Sequence, residues 1–440
     1  MENRHATREP ANPLLAGLSG AFRSCGSPPE RPSCSATGGL DRPMSRPAPS
    51  RSTVRVILGA PQVNSMRHDY IDSPEALQSA VAELKGESLL GIDTEAAGYH
   101  RYYDRISLIQ ISSRVDNLLI DPIALQDLSP LQALFNDANV EKIFHDADFD
   151  LRILDRDAHL GVQGLFDTQI AAAFVGERSL GLGAVVARYL GVNLPKAYQK
   201  ADWAERPLTD GMREYAATDT AYLPPLRDRL LEELQRLGRV DWAKEEFVRR
   251  EGTRWREPED AENAFLRLKG ARDVTPRGLA ILRELYLWRE EAGRARDRAT
   301  FRVLSNQAMI EMALKAPITK AQLREISGIS DGLAVRRGAE MIAAIERGLA
   351  IPESELPRFP PARRWERDPE VETRSERLRE VRSVVAGNLD LDPGFLISRA
   401  ILDEIAKRNP VSLDELSMIP DLRNWQLEAI GEPLLRALRA

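Results

Sequence analysis

Asp93-Thr94-Glu95 closes the apolar run Leu89-Leu90-Gly91-Ile92. Residues i and i+2 of a strand point to one face, so these two carboxylates would sit side by side. Such a pair is costly unless a cation lies between the charges, although a solvated strand end also accommodates it. A second group of acids follows another apolar run, in Lys142-Ile143-Phe144-His145-Asp146-Ala147-Asp148-Phe149-Asp150. Asp146 or Asp148 suits a helix N-cap. Asp150, framed by Phe149 and Leu151, is a carboxylate in apolar surroundings and needs a partner. The third piece is Tyr215 and Asp219, one turn apart on an Ala-rich helix. A hydrogen bond along the helix would explain that pair by itself.

Taken together, the pieces ask for more. Asp93, Glu95, Asp150 and Asp219 with the Tyr215 phenol could converge at one edge of a sheet. Four acids do not share a pocket as anions without metal. Two divalent cations about 3.5–4 Å apart would neutralise them and clamp a phosphodiester for in-line attack. The rest of the sequence restricts the metal. Both cysteines, Cys25 and Cys34, lie in the first 50 residues, and the five histidines form no ligand pair. Cysteine nucleophiles, zinc fingers and Fe–S clusters are thereby excluded from the folded part. Oxygen-held magnesium or manganese is the fitting cofactor. His145, at a strand end, is expected to make a structural hydrogen bond, and Gln110 to satisfy a buried neighbour.

These residues need elements to position them. Ser73-Pro74-Glu75 signals a helix start. Strands are expected at 88–93, 106–112, 117–120 and 141–145, with helices from about 129 and 149 and helices only from there to 237. This is a mixed-sheet α/β domain over residues 67–240. Residues 241–270 read as a linker. The remainder shows no strand signal and repeats at a constant offset of 93 residues. Ser305 matches Ser398, Pro317 matches Pro410, Leu323 matches Leu416, Ile326 matches Ile419 and Gly338 matches Gly431. One small helical fold is therefore expected twice, at 271–353 and 369–440, joined by a Pro-rich linker.

Length agrees: 440 residues suggest about three domains. Residues 1–52, rich in Pro, Gly, Ser and Arg, read as a disordered extension. They superficially resemble a transit peptide, but an upstream start codon is the simpler reading. No apolar run is long enough to span a membrane. The net charge of −6 argues against a histone-like protein but not against a nucleic-acid enzyme.

Asp93-x-Glu95, Asp150 and Tyr215-x-x-x-Asp219 resemble the DEDDy 3′→5′ exonuclease superfamily. So do Ser107-Leu108-Ile109-Gln110-Ile111, Asp167-Thr168-Gln169 and Asp202-Trp203-x-x-Arg206-Pro207-Leu208. The repeats resemble HRDC domains, through Leu287-Trp288-Arg289-Glu290, Val303-Leu304-Ser305-Asn306 and Ile326-Ser327-Gly328. One exonuclease domain with two HRDC domains resembles the bacterial ribonuclease D family, over about residues 67–440. Leu194 to Lys200 departs from the family's more polar stretch, so no substrate contacts are carried over there.

The resemblance implies a ribonuclease H-like α/β domain followed by two all-α HRDC domains. It implies release of 5′-mononucleotides from RNA 3′ ends, with transfer-RNA precursors or other structured RNA as partner. The enzyme would be cytoplasmic; a ring trimer or a monomer would both fit, with the tandem HRDC layout favouring the monomer. Asp93, Glu95 and Asp219 would hold the metal that activates water, with Asp93 bridging to a second metal supported by Asp150. Tyr215 would orient the nucleophile and help deprotonate it. A His in place of Tyr would fall at Glu214, so the Tyr subtype is expected. Trp203 is expected to pack. Arg289, Arg294, Arg296, Arg298 and Arg302 are either phosphate contacts or a solvated helix end. A 3′→5′ DNA exonuclease is the close alternative, and a non-catalytic RNA-binding scaffold is disfavoured by the intact acidic set.

Overall fold

The computed structural model describes residues 68–361 and 368–439. The expectation for residues 1–52 lies outside them. Six strands form one sheet: β1 (His68–Ile71), β2 (Leu89–Ala96), β3 (Ile106–Ser112), β4 (Asn117–Ile120), β5 (Glu141–Phe144) and β6 (Leu165–Asp167). Their order is β1-β4-β3-β2-β5-β6. β2–β3 and β3–β4 are antiparallel and the other pairs parallel, so the sheet is mixed as expected. β1 and β6 are additional to the expected strands: β6 has only three residues, and β1, though as long as β4 and β5, reads His68-Asp69-Tyr70-Ile71 and offers no apolar run.

The labelled helices are α1 (Pro74–Leu84), α2 (Asp148–Ala158), α3 (Thr168–Phe174), α4 (Leu182–Leu190), α5 (Asp210–Ala221), α6 (Leu223–Leu237) and α7 (Val240–Glu251). Next come α8 (Pro276–Arg294), α9 (Asn306–Lys315), α10 (Asp331–Ala350), α11 (Pro369–Leu389), α12 (Arg399–Arg408) and α13 (Glu432–Arg439). Side chains alternate across β2. Leu90 and Ile92 face one core with α1 and α2. Leu89 faces the other, with α3, α4, α6 and α7. Gly91 is required on that second face, because a Cβ there would stand 2.8 Å from the Thr220 carbonyl oxygen.

The repeat is structural. Ser305 and Ser398 cap α9 and α12, their hydroxyls accepting from the backbone N–H of Ala308 and Ile401. The short helices Lys320–Arg324 and Leu413–Ser417 follow in both copies, burying Leu323 and Leu416. The copies diverge at their last helix. α10 is continuous, whereas the second copy passes through a π-turn at Leu427–Gly431 before α13. Pro433, which has no N–H to donate, sits at that change.

The expected linker is not merely a linker. α7 occupies its first half and serves as a platform for the second helical copy. Phe174 packs edge-on to Phe395 and Trp425, at ring distances of 4.8 and 4.9 Å, and Trp242 lies 5.6 Å from Trp425. The Arg239 guanidinium joins the two sides, donating to the carbonyls of Phe174 and Leu389 at 2.6 Å each. Glu245 accepts the backbone N–H groups of Asn424 and Trp425. The first copy docks elsewhere, on the loop 97–105 that joins β2 to β3. Among the described residues no helix is long and apolar enough to cross a membrane.

Candidate active site

β2 carries Asp93 and Glu95 on the face that α5 covers. The β2–β3 register shifts between Glu95 and Ala96, so Glu95 stands at the irregularity where the strand turns into the loop. α5 begins at its N-cap Thr209, whose hydroxyl accepts from the Met212 N–H. It brings Tyr215 and Asp219 over the strand end. One ligand atom each from Asp93, Glu95 and Asp219 lies within 4.8 Å of the others, a group able to hold a metal ion. All three residues are half-buried.

Asp150 approaches from the other face. It is the third residue of α2 and 6% exposed. Its Oδ1 accepts both the backbone N–H and the hydroxyl of Thr94, at 3.1 and 2.5 Å. Neither Asp146 nor Asp148 caps this helix, correcting that option. Asp146 has φ +63° in the preceding turn, and the N-cap position falls to Ala147 without a side-chain bond. The turn is held instead by Asp167, which accepts the N–H groups of Asp146 and Ala147 at 3.1 and 2.9 Å. The same carboxylate caps α3 through Gln169 and Ile170. Asp167 thus sets the start of the helix that carries Asp150. Its place in Asp-Thr-Gln was visible in the sequence, but its role was not.

The electrostatics are those of anions confined together. Burial first, then Asp150, Glu95 and Asp219, raise the Asp93 carboxyl well above its usual range. Burial and then Asp219 and Asp150 do the same to Glu95. Asp150 is pushed up to about 7 by burial, against the pull of its Thr94 bonds. Asp219 is also pushed up to about 7 by burial, which the Tyr215 hydroxyl partly offsets by hydrogen bonding. Burial and the neighbouring carboxylates hold the Tyr215 phenol far above the usual tyrosine range. Carboxyls that raise one another in this way are the donor set a hard divalent cation fits.

The surrounding residues sort cleanly. Trp203 is 1% exposed and packs 6.1 Å from the Tyr215 ring, so it is a packing residue. Arg206 fastens its loop to the sheet, donating to both oxygens of Asp121 at 2.7 Å and to the Ser107 carbonyl. His145 bonds Thr168 through Nδ1 at 2.9 Å, and burial holds its pKa below the usual range. It is structural, as expected. Gln110 is fully buried but has no partner among the described residues, contrary to expectation. Glu214 is exposed.

The arginine cluster of the first helical copy divides. Arg289 is buried, bonding Asn306. Arg294 lies over the Tyr102 ring and Arg302 over the Tyr99 ring, at 5.6 and 4.7 Å. Arg296 and Arg298 remain exposed. Sequence reasoning missed Asp297, whose Oδ1 accepts the N–H groups of Tyr102 and Tyr103 at 3.0 and 3.1 Å. The Ala299 N–H donates to the His100 carbonyl, and Arg302 donates to that of Tyr99. Helical copy one therefore clamps the loop that leaves Glu95.

A mixed sheet with a half-buried acidic cluster under a Tyr-bearing helix is the arrangement of a 3′→5′ exonuclease, and the 3′-5′ exonuclease family model matches residues 69–235. The HRDC domain model matches residues 278–345 and 372–438. Ribonuclease D of Pseudomonas paraeruginosa is 31% identical over 384 residues, covering 87% of this chain and 99% of that one. Ribonuclease D of Escherichia coli is 32% identical over 293 residues, covering 66% and 78%. Among solved structures, that of E. coli RNase D, described as an exoribonuclease involved in structured RNA processing, matches with TM-score 0.60 and 27% identity, covering 85% and 99%. A protein from Bifidobacterium adolescentis matches with TM-score 0.69 and 29% identity, covering 84% and 97%. The chain belongs to the ribonuclease D family of 3′→5′ exoribonucleases.

Proposed function

We propose that this exoribonuclease works by two-cation catalysis on the 3′ ends of structured RNA, transfer-RNA precursors among them. The observation that carries the reading is the convergence of Asp93, Glu95 and Asp219 within 4.8 Å. When bound, two divalent cations, magnesium or manganese, supply Lewis acidity on both sides of the scissile phosphodiester. Asp93, Glu95 and Asp219 would hold one, and Asp93 with Asp150 the other. Tyr215 keeps its proton and orients the attacking water through its hydroxyl. Thr94 and Asp167 fix Asp150. A relative of like fold, involved in structured RNA processing, supports the substrate class. Exposed Arg296 and Arg298, beside the clamped loop, suit phosphate contacts.

The test is incubation of the full chain with 3′-labelled RNA and with DNA of the same sequence, in magnesium, manganese or chelator. Mononucleotide release from RNA that stops in chelator is the expected result. Turnover in chelator would overturn the metal reading, and equal cleavage of DNA would overturn the substrate class.

A further inference from the structure

Gln110 stands in the middle of β3, a strand buried along its whole length. Both the nitrogen and the oxygen of its carboxamide are out of contact with solvent and bonded to nothing among the described residues. A primary amide in that condition costs stability, and each such group calls for an explanation. Its position supplies a candidate.

The β2–β3 register sets Gln110 directly opposite Asp93. Cross-strand neighbours place their Cβ atoms roughly 4.5–5.5 Å apart. Leu108 and Ser112 share its face two residues away, and Leu119 is its partner on β4. Leu108 and Leu119 belong to the apolar layer beneath α5, with Met212, Tyr215 and Ala216. Ser112 is already engaged by Asn117 and Thr220. Of the polar groups flanking the amide on this face, Asp93 is the acceptor left.

We propose that Gln110 is a positioning residue whose amide N–H donates to the Asp93 carboxylate when that carboxylate faces a divalent cation. The bond fixes which way the Asp93 oxygens present themselves. Groups that hold a metal ligand in this way govern affinity, and their loss weakens metal binding by about 10–100-fold. The inference rests on the metal reading of the cluster.

The experiment measures manganese binding to the full chain by calorimetric titration, and thermal unfolding in chelator. The variants are Gln110→Leu, close in size and without polar atoms, and Asp93→Asn. The expected result is a manganese dissociation constant raised about 10–100-fold in Gln110→Leu, with an unfolding temperature in chelator equal to or above that of the wild type. Unchanged manganese binding in Gln110→Leu, beside tight binding in the wild type, would overturn the proposal. A lowered unfolding temperature in chelator would also overturn it, since the amide would then be serving the fold. Failure of the wild type to bind manganese, or full binding by Asp93→Asn, would instead sink the metal reading itself.

Discussion

Thr94 gives both its backbone N–H and its hydroxyl to a single oxygen of Asp150. It sits between Asp93 and Glu95 but points to the opposite face of β2. The residue that separates two acids of the cluster thus secures a third. Thr94→Val keeps the shape and removes the hydroxyl donor. A hydrogen bond to a charged group is worth about 1.5–3 kcal/mol, so kcat/KM on RNA should fall ~10–100-fold. Thr94→Ser should retain most activity. Steady-state kinetics on both variants checks this, and wild-type rates in Thr94→Val would remove Thr94 from the site.

Metal-free stability should depend on pH with a definite sign. Asp150 and Asp219 stand at about 7 in the folded chain, against about 4 when unfolded. Groups raised in this way leave stability intact below the unfolded value and withdraw it as pH rises through the folded one. The chelated protein should therefore lose stability progressively between about pH 4 and 7, and cations should remove that loss. His145, held low by burial, acts in the opposite sense at the acid end. The measurement is accordingly the difference in unfolding temperature between magnesium-loaded and chelated protein. It should widen with pH; a constant difference would contradict the shifts.

The Asp219 carboxylate is buried at a cost and raises both Asp93 and Glu95, so Asp219→Asn should raise the unfolding temperature in chelator while abolishing turnover. Activity bought with instability is the pattern of a built site. A lowered unfolding temperature, or retained magnesium-dependent activity, would count against the cluster.

Tyr215→Phe should keep the fold and cation binding but lose about 100-fold or more in single-turnover rate. Because its phenol is held far above the usual range, the pH–rate profile of what remains should keep its shape. A lost alkaline limb would show that Tyr215 titrates in the working range.

Asp297 should matter even to a substrate too short to reach it. Asp297→Ala frees the N–H groups of Tyr102 and Tyr103 and should slow dinucleotide cleavage on the order of 10–100-fold through misplacement of Glu95. Asp297→Asn, which keeps an acceptor oxygen, should be milder. A defect confined to long RNA would reduce the first helical copy to a binding module.

What the sequence disclosed follows from how local each signal is. Asp93 and Glu95 lie two apart on one strand and Tyr215 and Asp219 four apart on one helix, so short-range periodicity exposes them. The helical repeat shows because caps and buried apolar positions recur together. β6 is three residues long and has no period to read. α7 reads as a linker in sequence because charges are interspersed among its apolar positions, and the two it buries, Ala243 and Phe247, face another part of the chain. Thr94, Asp167, Asp297 and Gln110 act through partners distant in sequence, and Thr or Gln in a strand looks the same whether or not it serves a carboxylate.

The Asp297 clamp also has a temporal consequence. It joins residues 195 positions apart, and every acid of the cluster precedes it in the chain. A ribosome therefore completes the cleaving residues well before it supplies the segment that steadies them. The clamp on the β2–β3 loop would accordingly close only after α8 and the turn after it have been made. Synthesis itself would delay the enzyme's arming.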